Sequence, residues 1–393
     1  LKIIQQKGLI MESLKIAYCI PSLYSMSGME RTLTVKSNYF AENYNYKIYL
    51  ILTDGKDKDS AFPLSSKITV INLDINYDKI WGEPFFKQLI SYLIKQIKFR
   101  KRLTQKLHEI KPDITISMLR REINFITKIH DGSKKVGELH FNKNNYRDLN
   151  NLPNLPLRNF FAKLWMHQLV SNLRRLDQFV VLSHEDKEQW SELKNVKVIY
   201  NPLPEFPEKV SDCSNKIVVA AGRFVYQKGF DMLIDAWQIV QIKHPDWILK
   251  IYGNGNKEEF YSRIENNNCQ DTCFLYDAVS DLSSKLVEGS IFAFSSRFEG
   301  FGMVITEAMA CGVPPVAFAC PCGPVDIISD GVNGLLVPPN DIEALADKIN
   351  YLIENEDCRK EMGKLARKRA ERFKIETIAE EWNILFQSLI NKN

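Results

Sequence analysis

Short apolar runs alternate along this chain with longer stretches in which apolar residues recur every three or four positions. The runs are four to seven residues long and lack the apolar–polar alternation of a strand with one solvated face. Such strands are typical of parallel sheets that are covered by helices on both faces. In the first half the predicted strands are 15–20, 47–52, 67–73, 113–118, 134–139, 178–182 and 196–200, and the predicted helices include 85–110, 120–130 and 154–175.

The alternation is interrupted by a proline-rich stretch at 201–207. It then resumes, with predicted strands at 216–221, 248–252, 272–276, 291–295, 313–318 and 334–337 and helical patterns between them. We therefore predict an α/β protein with two doubly wound Rossmann-like domains, 1–203 and 204–375, that face a central cleft. The last segment, 376–393, has the pattern of an amphipathic helix, which we expect to pack back on the first domain.

The predicted strand at 291–295 leads into a glycine-bearing turn and then into a helix, and two glutamates flank the turn. Glu299 lies where the turn leaves the strand, and Glu307 lies one to two turns into the helix. The start of a helix presents free backbone N–H groups and the positive end of the helix dipole, which together favour a phosphate. A phosphate site between two carboxylates suits a diphosphate that joins two sugars, as in a nucleotide sugar.

Two cations occupy the equivalent loop after the first predicted strand of the second domain. Arg223 and Lys228 lie between that strand and the next helix, where they can neutralise a leaving diphosphate. Taken alone, Arg223 and Lys228 are equally well explained as cations of a solvated loop. Glu299 and Glu307 could be acids that complement a helix dipole, but this explanation is weaker for Glu307, which lies past the first turn among apolar neighbours. The presence of all four in one domain favours a functional site.

These residues carry a family resemblance. Gly222-Arg223-x4-Lys228-Gly229, together with Glu299-Gly-Phe-Gly-x4-Glu307, resembles the pattern of the retaining glycosyltransferases of family 4, which have the GT-B fold of two facing domains. Gly28-Met29-Glu30-Arg31 near the start also fits the family, whose members include enzymes of bacterial cell-envelope polysaccharide synthesis. The resemblance covers the second domain densely and the first domain thinly, which is expected if the first domain binds variable acceptors.

The resemblance also implies roles for individual residues. Arg223 and Lys228 would bind the donor diphosphate, Glu307 the ribose, and Glu299 the hydroxyls of the donor sugar beside the reacting carbon. Glu138-Leu139-His140 matches the Glu-x-His of the family, which places His140 near the donor sugar as a catalytic residue together with Glu299. The remaining donor-binding residues implied are Gly28, which would allow close approach to the phosphates, and Phe301, Gly302, Met303 and Val304, whose backbone would cap them.

The expected reaction moves a sugar from a nucleotide sugar to a glycan or lipid-linked glycan, with retention of configuration implied by the family. Relatives with this pattern commonly use UDP-sugars. The Asp-x-Asp sequence at Asp57-Lys58-Asp59 lies in a lysine-rich loop and is interpreted as a solvated turn. We therefore expect chemistry without a metal or other cofactor, in which Arg223, Lys228 and the helix start stabilise the leaving group.

Charge is distributed unevenly between the halves of the chain. Residues 1–200 carry 32 lysines and arginines against 20 acids, whereas the remainder carries 20 against 28. Two basic segments that are rich in aromatic and aliphatic residues, 77–111 and 157–175, are typical of helices that lie on an anionic membrane surface. Taken alone, each segment is somewhat better explained as a core helix that has a solvated basic face, and the two segments together with the uneven charge favour the membrane surface. No nucleic-acid recognition module is apparent, so nucleic acid is not an expected partner.

Location and alternative functions complete the prediction. The chain lacks an apolar run of the roughly 18 residues that a membrane span needs and lacks the pattern of a signal peptide at its start, so we expect a cytoplasmic protein, peripheral at most on the inner membrane face. The eight cysteines show no metal-binding spacing.

Two alternatives to a glycosyltransferase stay open. One is a non-catalytic sugar-nucleotide-binding protein of the same fold. The other is a different nucleotide-dependent Rossmann enzyme such as an epimerase, which would need a G-x-G-x-x-G after the first strand.

Overall fold

The computed structural model describes residues 13–80, 84–141, 143 and 156–391, with side chains described in all of these except Ile80, Phe85, Phe86 and residues 156–163. Thirteen strands in the described part of the chain form two sheets, and all of their pairings are parallel. The prediction of two Rossmann-like α/β domains is therefore confirmed.

The first sheet has seven strands in the order β3-β2-β1-β4-β5-β6-β7. The order reverses on either side of β1, so the crevice above β1 and β4 is the switch point at which α/β proteins bind ligands. The strands are β1 (Lys15–Ile20), β2 (Lys47–Leu52), β3 (Thr69–Asn72), β4 (Ile114–Ser117), β5 (Lys134–Glu138), β6 (Gln178–Val181) and β7 (Val196–Val198).

The second sheet has six strands in the order β10-β9-β8-β11-β12-β13, with its switch point between β8 and β11. Almost every side chain of its central strands is buried, because helices cover both faces. The strands are β8 (Ile217–Ala221), β9 (Ile248–Tyr252), β10 (Cys273–Tyr276), β11 (Ile291–Phe294), β12 (Pro315–Phe318) and β13 (Leu335–Val337).

Helices connect most of the successive strands, as the sequence pattern predicts. They are α1 (Gly28–Asn43), α2 (Phe85–Ile110), α3 (Pro156–Arg174), α4 (His184–Gln189), α5 (Phe230–Lys243), α6 (Glu258–Asn266), α7 (Leu282–Val287), α8 (Met303–Ala310), α9 (Pro324–Ile327), α10 (Ile342–Glu354), α11 (Glu356–Ala370) and α12 (Ile375–Ile390).

The predicted helix at 120–130 is wrong. The chain forms two short 3₁₀ turns there instead, Glu122–Asn124 and Ile126–Lys128. The buried carboxylate of Glu122 accepts hydrogen bonds from Ser117 Oγ at 2.7 Å and from the backbone N–H of Arg120 at 3.0 Å. These bonds hold the chain in a tight turn directly after β4, and a side chain that binds the local backbone in this way competes with the hydrogen bonds of a helix.

The two domains are joined where the chain crosses between them. Tyr200, Phe301 and Phe373 form an aromatic cluster with ring centroids 5.6–5.8 Å apart. The backbone N–H of Leu203 on the outgoing crossing donates to the carbonyl of Phe373 on the returning one at 2.7 Å. Phe301 belongs to the turn before α8, so this cluster ties the start of α8 to both crossings.

The last helix, α12, packs on α1 of the first domain. The ring centroids of Phe386 and Phe40 are 5.6 Å apart. The hydroxyls of Tyr44 and Tyr46 each donate a 2.6 Å hydrogen bond to a side chain of α12. α12 thus follows the second domain in the chain but packs on the first.

Candidate functional site

The parallel direction of the strands places four loops at one cleft. The loops that follow β1 and β5 lie at the carboxyl edge of the first sheet, and those that follow β8 and β11 lie at the carboxyl edge of the second. Contacts between the two sets of loops, described below, show that the edges face each other. The predicted site residues lie on these loops or on the first turns of the helices that follow them.

Lys228 and Glu299 form one side of the cleft. Lys228 lies in a 3₁₀ turn after β8, and its Nζ is 2.5 Å from Glu299 Oε1. Ser296 Oγ donates to the same oxygen at 2.7 Å. Both charged side chains are at least 86% buried, so this ion pair is largely withdrawn from water. An anion that entered the cleft would offer Lys228 a second partner.

Glu307 has a partner from the other domain. It lies on α8, is 8% exposed, and its Oε1 is 3.0 Å from Nη1 of Arg31 on α1. Burial raises the pKa of the Glu307 carboxyl above its usual range, and the charge of Arg31 opposes that rise. The pair joins the two domains beside the starts of their two cleft-facing helices.

The starts of α1 and α8 are in contact across the cleft. A Cβ added at Gly28, the first residue of α1, would lie 3.5 Å from Sδ of Met303, the first residue of α8. Thr32 Oγ1 also lies 3.4 Å from Met303 Sδ. Gly302 precedes α8 with φ +91°, a conformation that side chains other than glycine rarely adopt. Two positive helix ends therefore converge at one point.

Val304 occupies the second position of α8 and is partly buried, and Phe301 is 3% exposed in the aromatic cluster of the crossings. The side chain of Phe301 therefore belongs to the core, and only its backbone is available at the turn.

Arg223 differs from these residues, because its side chain is exposed and forms no hydrogen bond or ion pair with another described residue. It lies on the same loop as Lys228 and is free to take an anionic partner.

His140 follows β5 and touches the second domain through its backbone. A Cβ added at Gly300 would lie 2.5 Å from the carbonyl oxygen of His140, so only glycine fits at this contact. The imidazole is buried, with Nε2 3.1 Å from Glu138 Oε1. His140 thus lies beside the turn that carries Glu299.

The structure places the predicted residues on loops and helices at the two facing sheet edges, and it adds several partners that the sequence does not indicate. Arg31 stands in the quoted motif around Gly28, yet only the fold reveals that it meets Glu307, 276 positions away. Ser296 lies three residues before Glu299, a short-range signal that was available in the sequence. Glu138 was quoted only as part of a spacing, and it is the direct partner of His140.

Within the described ranges, no group of three or more His, Cys, Asp and Glu side chains is arranged to hold a metal ion. None of the helices in the described part of the chain is both long enough and apolar enough to span a bilayer.

The sequence of the second domain is similar to known families. The family model of the glycosyl transferases group 1 matches residues 204–369, which is less than half of the chain. An uncharacterized glycosyltransferase of Haemophilus influenzae is 34% identical over 211 residues, which are 52% of this chain and 60% of that protein. A poly(ribitol-phosphate) alpha-N-acetylglucosaminyltransferase of Staphylococcus aureus is 32% identical over 222 residues, which are 56% of this chain and 43% of that protein. The chain thus spans about half of the length of these relatives.

The fold is similar to solved structures along almost the whole chain. A variant of TarM from Staphylococcus aureus, crystallised with fondaparinux, alpha-GlcNAc-glycerol and UDP, superposes with a TM-score of 0.72. The match covers 95% of this chain and 99% of that one at 18% identity. By fold the chain is therefore similar to a GT-B glycosyltransferase over nearly its full length, and by sequence its residues 204–369 match the glycosyl transferases group 1.

Proposed function

We propose that this chain is a metal-independent, retaining glycosyltransferase of family 4 that transfers a sugar from a UDP-sugar to a glycan or lipid-linked glycan in cell-envelope polysaccharide synthesis. The observation that carries the proposal is the convergence of the helix starts at Gly28 and Met303, with Lys228 and Arg223 on a loop at the same sheet edge as the start of α8. Two positive helix ends and two cations that line one cleft favour a ligand with several negative charges. The relatives described above support a nucleotide sugar as that ligand.

The leaving diphosphate accounts for the cations. Breaking the bond to the anomeric carbon leaves negative charge on the diphosphate, and Arg223, Lys228 and the start of α8 would stabilise it. Lys228 is largely withdrawn from water, and a fixed positive group in such a place is more effective than the same group in solution, because no reorganisation is needed during the reaction. In this proposal they supply the stabilisation that a metal ion provides in other transferases.

The two glutamates divide the rest of the donor between them. Glu307 would accept hydrogen bonds from the ribose hydroxyls, a role in which its burial favours a partnered carboxylate. Glu299 would face the donor sugar, and the backbone contact between Gly300 and His140 keeps the imidazole at the same end of the cleft. Positive charge that develops on the sugar would lie beside the Glu299 carboxylate, which favours the transition state electrostatically.

Calorimetry with UDP and GDP, followed by hydrolysis assays with a panel of radiolabelled nucleotide sugars, tests the proposal. We expect UDP binding, slow hydrolysis of one UDP-sugar and faster turnover when an acceptor glycan is added. Glu307→Ala should weaken UDP binding about 10- to 100-fold, whereas Glu343→Ala, at an exposed acid of α10, should leave it unchanged. Failure of every nucleotide to bind would exclude the enzyme, and binding without hydrolysis or transfer would favour a non-catalytic nucleotide-sugar-binding protein.

The first half of α2 carries a surface that bears on how the protein reaches its acceptor. None of its side chains from Lys87 to Lys98 is buried, whereas Phe99, Leu103 and Leu107 in the second half pack into the core. Five large aliphatic side chains nevertheless lie on one outward face of the first half. They are Leu89, Ile90, Leu93, Ile94 and Ile97, which are 45–73% exposed. We call these five residues the α2 stripe.

Charge indicates what covers the α2 stripe. The chain has no aspartate or glutamate between positions 84 and 108 and seven lysines and arginines in the same range. Arg100 and Lys101 are exposed one turn beyond Ile97, on the same face. Pairing of two copies through this face would bring cations together without acids, so an anionic bilayer surface is the better partner. In the proposal this contact holds the first domain against the inner membrane face, where a lipid-linked acceptor is reached.

Part of the predicted basic surface is not described. Trp81 and the side chains of Phe85 and Phe86 in segment 77–111, and the side chains up to residue 163 in segment 157–175, lie outside the described residues. The membrane proposal therefore rests on the α2 stripe and on Arg100 and Lys101 alone.

A further inference from the structure

A buried row of charged groups links His140 to the C-terminal helix. Lys36 on α1 has a side chain that is 1% exposed, and its ammonium donates a hydrogen bond to Glu138 Oε1. The same oxygen lies 3.1 Å from His140 Nε2. Glu138 Oε1 is therefore shared by a lysine from one helix and by the histidine two positions further along the chain.

Trp382 of α12 closes the other end of the row. The Lys36 ammonium lies 4.3 Å from the centroid of the Trp382 ring, and the tryptophan is 1% exposed. A cation over an aromatic face is stabilised most when both are withdrawn from water. The helix that carries Trp382 follows the second domain in the chain, so its position depends on how that domain docks.

The arrangement is a poor device for stability alone. A buried ion pair loses the hydration of both charges, and apolar residues of the same volume often stabilise a core as well or better. The hydrogen bonds are also unevenly distributed, because Glu138 Oε2 has no partner among the described residues although it is buried, while Oε1 has two. A pair whose only role was structural would be expected to satisfy both oxygens.

We propose that Lys36 is a positioning residue that orients the His140 imidazole through Glu138, and that Trp382 shields the lysine from water. The inference rests on the proposed function, in which His140 faces the donor sugar. An ionised Glu138 accepts a hydrogen bond from Nε2–H of the neutral imidazole, which leaves Nδ1 as the nitrogen that can accept one. Lys36 thereby selects the tautomer and the ring orientation that the donor sugar meets.

The charge state of Glu138 depends on this lysine. Burial alone raises the pKa of the Glu138 carboxyl, but the charges and hydrogen bonds of Lys36 and His140 outweigh burial and lower the pKa to about 2. The other titratable group that faces it is Tyr18 on β1, whose pKa is raised well above its usual range, first by burial and then by the Glu138 charge. Tyr18 therefore stays neutral, and without Lys36 burial would raise the pKa of Glu138.

The test compares Lys36→Met with Lys135→Met. Lys135 lies at the opposite end of the same strand and pairs with Asp131 at 2.5 Å, with side chains that are 8% and 0% exposed. Each variant therefore removes one buried lysine–carboxylate pair from β5 or its flanks. For Lys36→Met we expect kcat to fall 10- to 100-fold with UDP affinity changed less than about threefold, and the acidic limb of the pH–rate profile to move to higher pH. Lys135→Met should change neither quantity beyond what its lower stability explains.

A second readout does not need turnover. In protein labelled with ¹⁵N-histidine, the His140 ring nitrogens, identified by their loss in His140→Gln, should report a single Nε2–H tautomer in the native chain and a mixture in Lys36→Met. Trp382→Leu, which keeps the ion pair but removes its cover, should shift the same signals in the same direction and serves if Lys36→Met does not fold.

Unchanged His140 signals in a folded variant would overturn the positioning role, as would equal kinetic losses in Lys36→Met and Lys135→Met. Altered signals in a protein that turns over no nucleotide sugar would uphold the positioning and count against the proposed function instead.

Discussion

Arg31 of the first domain and Glu307 of the second form an ion pair of 3.0 Å beside the point where α1 and α8 begin. The pair gives the carboxylate proposed to hold the ribose a positive partner from the opposite side of the cleft. It also connects the relative position of the domains to the electrostatics of the proposed nucleotide site. In this structure the counter-charge of Glu307 is supplied by a contact between the domains.

The two glutamates should fail in different ways when they are removed. Glu307→Ala should weaken UDP binding about 10- to 100-fold, since a hydrogen bond to a charged group contributes roughly 1.5–3 kcal/mol. Glu299→Ala should leave UDP affinity within a few-fold and lower kcat about 100- to 1,000-fold, a typical cost of losing one electrostatic group at the reacting centre. Calorimetry and steady-state kinetics on the two variants measure both quantities. Equal losses of UDP affinity would contradict the assigned roles.

Breaking the Arg31–Glu307 pair should make the free energy of unfolding depend on pH. Arg31→Leu leaves Glu307 buried without its counter-charge, so the pKa of this carboxyl, already raised by burial, should rise further. A carboxyl with a raised pKa in the folded state favours folding at low pH and loses that contribution as the pH rises through the folded pKa. The variant should therefore lose about 1–2 kcal/mol at pH 7, less than for a fully buried pair because Arg31 is about a third exposed, and much less at pH 4.

Thermal unfolding between pH 4 and pH 8 measures this difference. The double variant Arg31→Leu/Glu307→Gln, which removes the charge that was left unpaired, should regain most of the loss at pH 7. A loss in Arg31→Leu that is the same at every pH would mean that packing rather than charge explains it.

Gly300 should tolerate no side chain. In Gly300→Ala the added Cβ would meet the His140 carbonyl at 2.5 Å, so the turn before α8 and the loop after β5 must separate. We expect turnover to fall at least tenfold, since small displacements of positioned groups have large kinetic effects. Gly331→Ala is the control, because no atom lies within 4 Å of the added Cβ and only the backbone conformation at φ +73° is strained. Similar turnover in both variants would show that the contact is not required.

Chelation should leave the reaction unchanged. The proposed stabilisation of the leaving diphosphate comes from Arg223, Lys228 and the start of α8, so excess EDTA should alter the rate of nucleotide-sugar hydrolysis less than twofold. Lys228→Met should lower the same rate about 100-fold or more. Loss of activity on chelation, with recovery on addition of Mg²⁺ or Mn²⁺, would replace the metal-independent mechanism with a metal-assisted one.

The α2 stripe should bind anionic vesicles. We expect the chain to float with vesicles that contain anionic lipid and to remain in solution with purely zwitterionic ones. Ile94→Ser/Ile97→Ser should weaken this binding about 30- to 1,000-fold, because each exposed isoleucine that enters the interface contributes on the order of 1–2 kcal/mol. Ile242→Ser/Ile384→Ser, at exposed positions of α5 and α12, is the matched control. Retention of binding in the first variant, or its equal loss in the control, would exclude the stripe as the contact.

Much of the fold followed from local pattern. Continuous apolar runs predicted strands such as Lys15–Ile20, Lys47–Leu52 and Ile248–Tyr252 with the bounds that the structure has. The helix Phe85–Ile110 was likewise predicted with the bounds that it has. The stretch 120–130 was not predictable in this way, because its backbone is set by the Glu122 carboxylate, whose bonds compete with those of a helix.

The candidate site, too, was predictable only in part from the sequence. The sequence alone determined which residues stand after the strands of the second domain, Arg223, Lys228, Glu299 and Glu307 among them, since a strand, a turn and a helix start are short-range features. It did not determine which charges become partners. Lys228 and Glu299 are 71 positions apart, and Arg31 and Glu307 are 276 apart.

Those partnerships were decided by the tertiary structure. Parallel strands place the loops that follow them at a common edge of each sheet. The packing of α12 on α1, together with the aromatic cluster at the two chain crossings, holds the edge of one sheet against the edge of the other. Lys36 is the clearest case, because in the sequence it is one of 52 basic residues, and only the fold buries it between Glu138 and Trp382. Burial withdraws these charges from water, and so makes the identity of each partner matter.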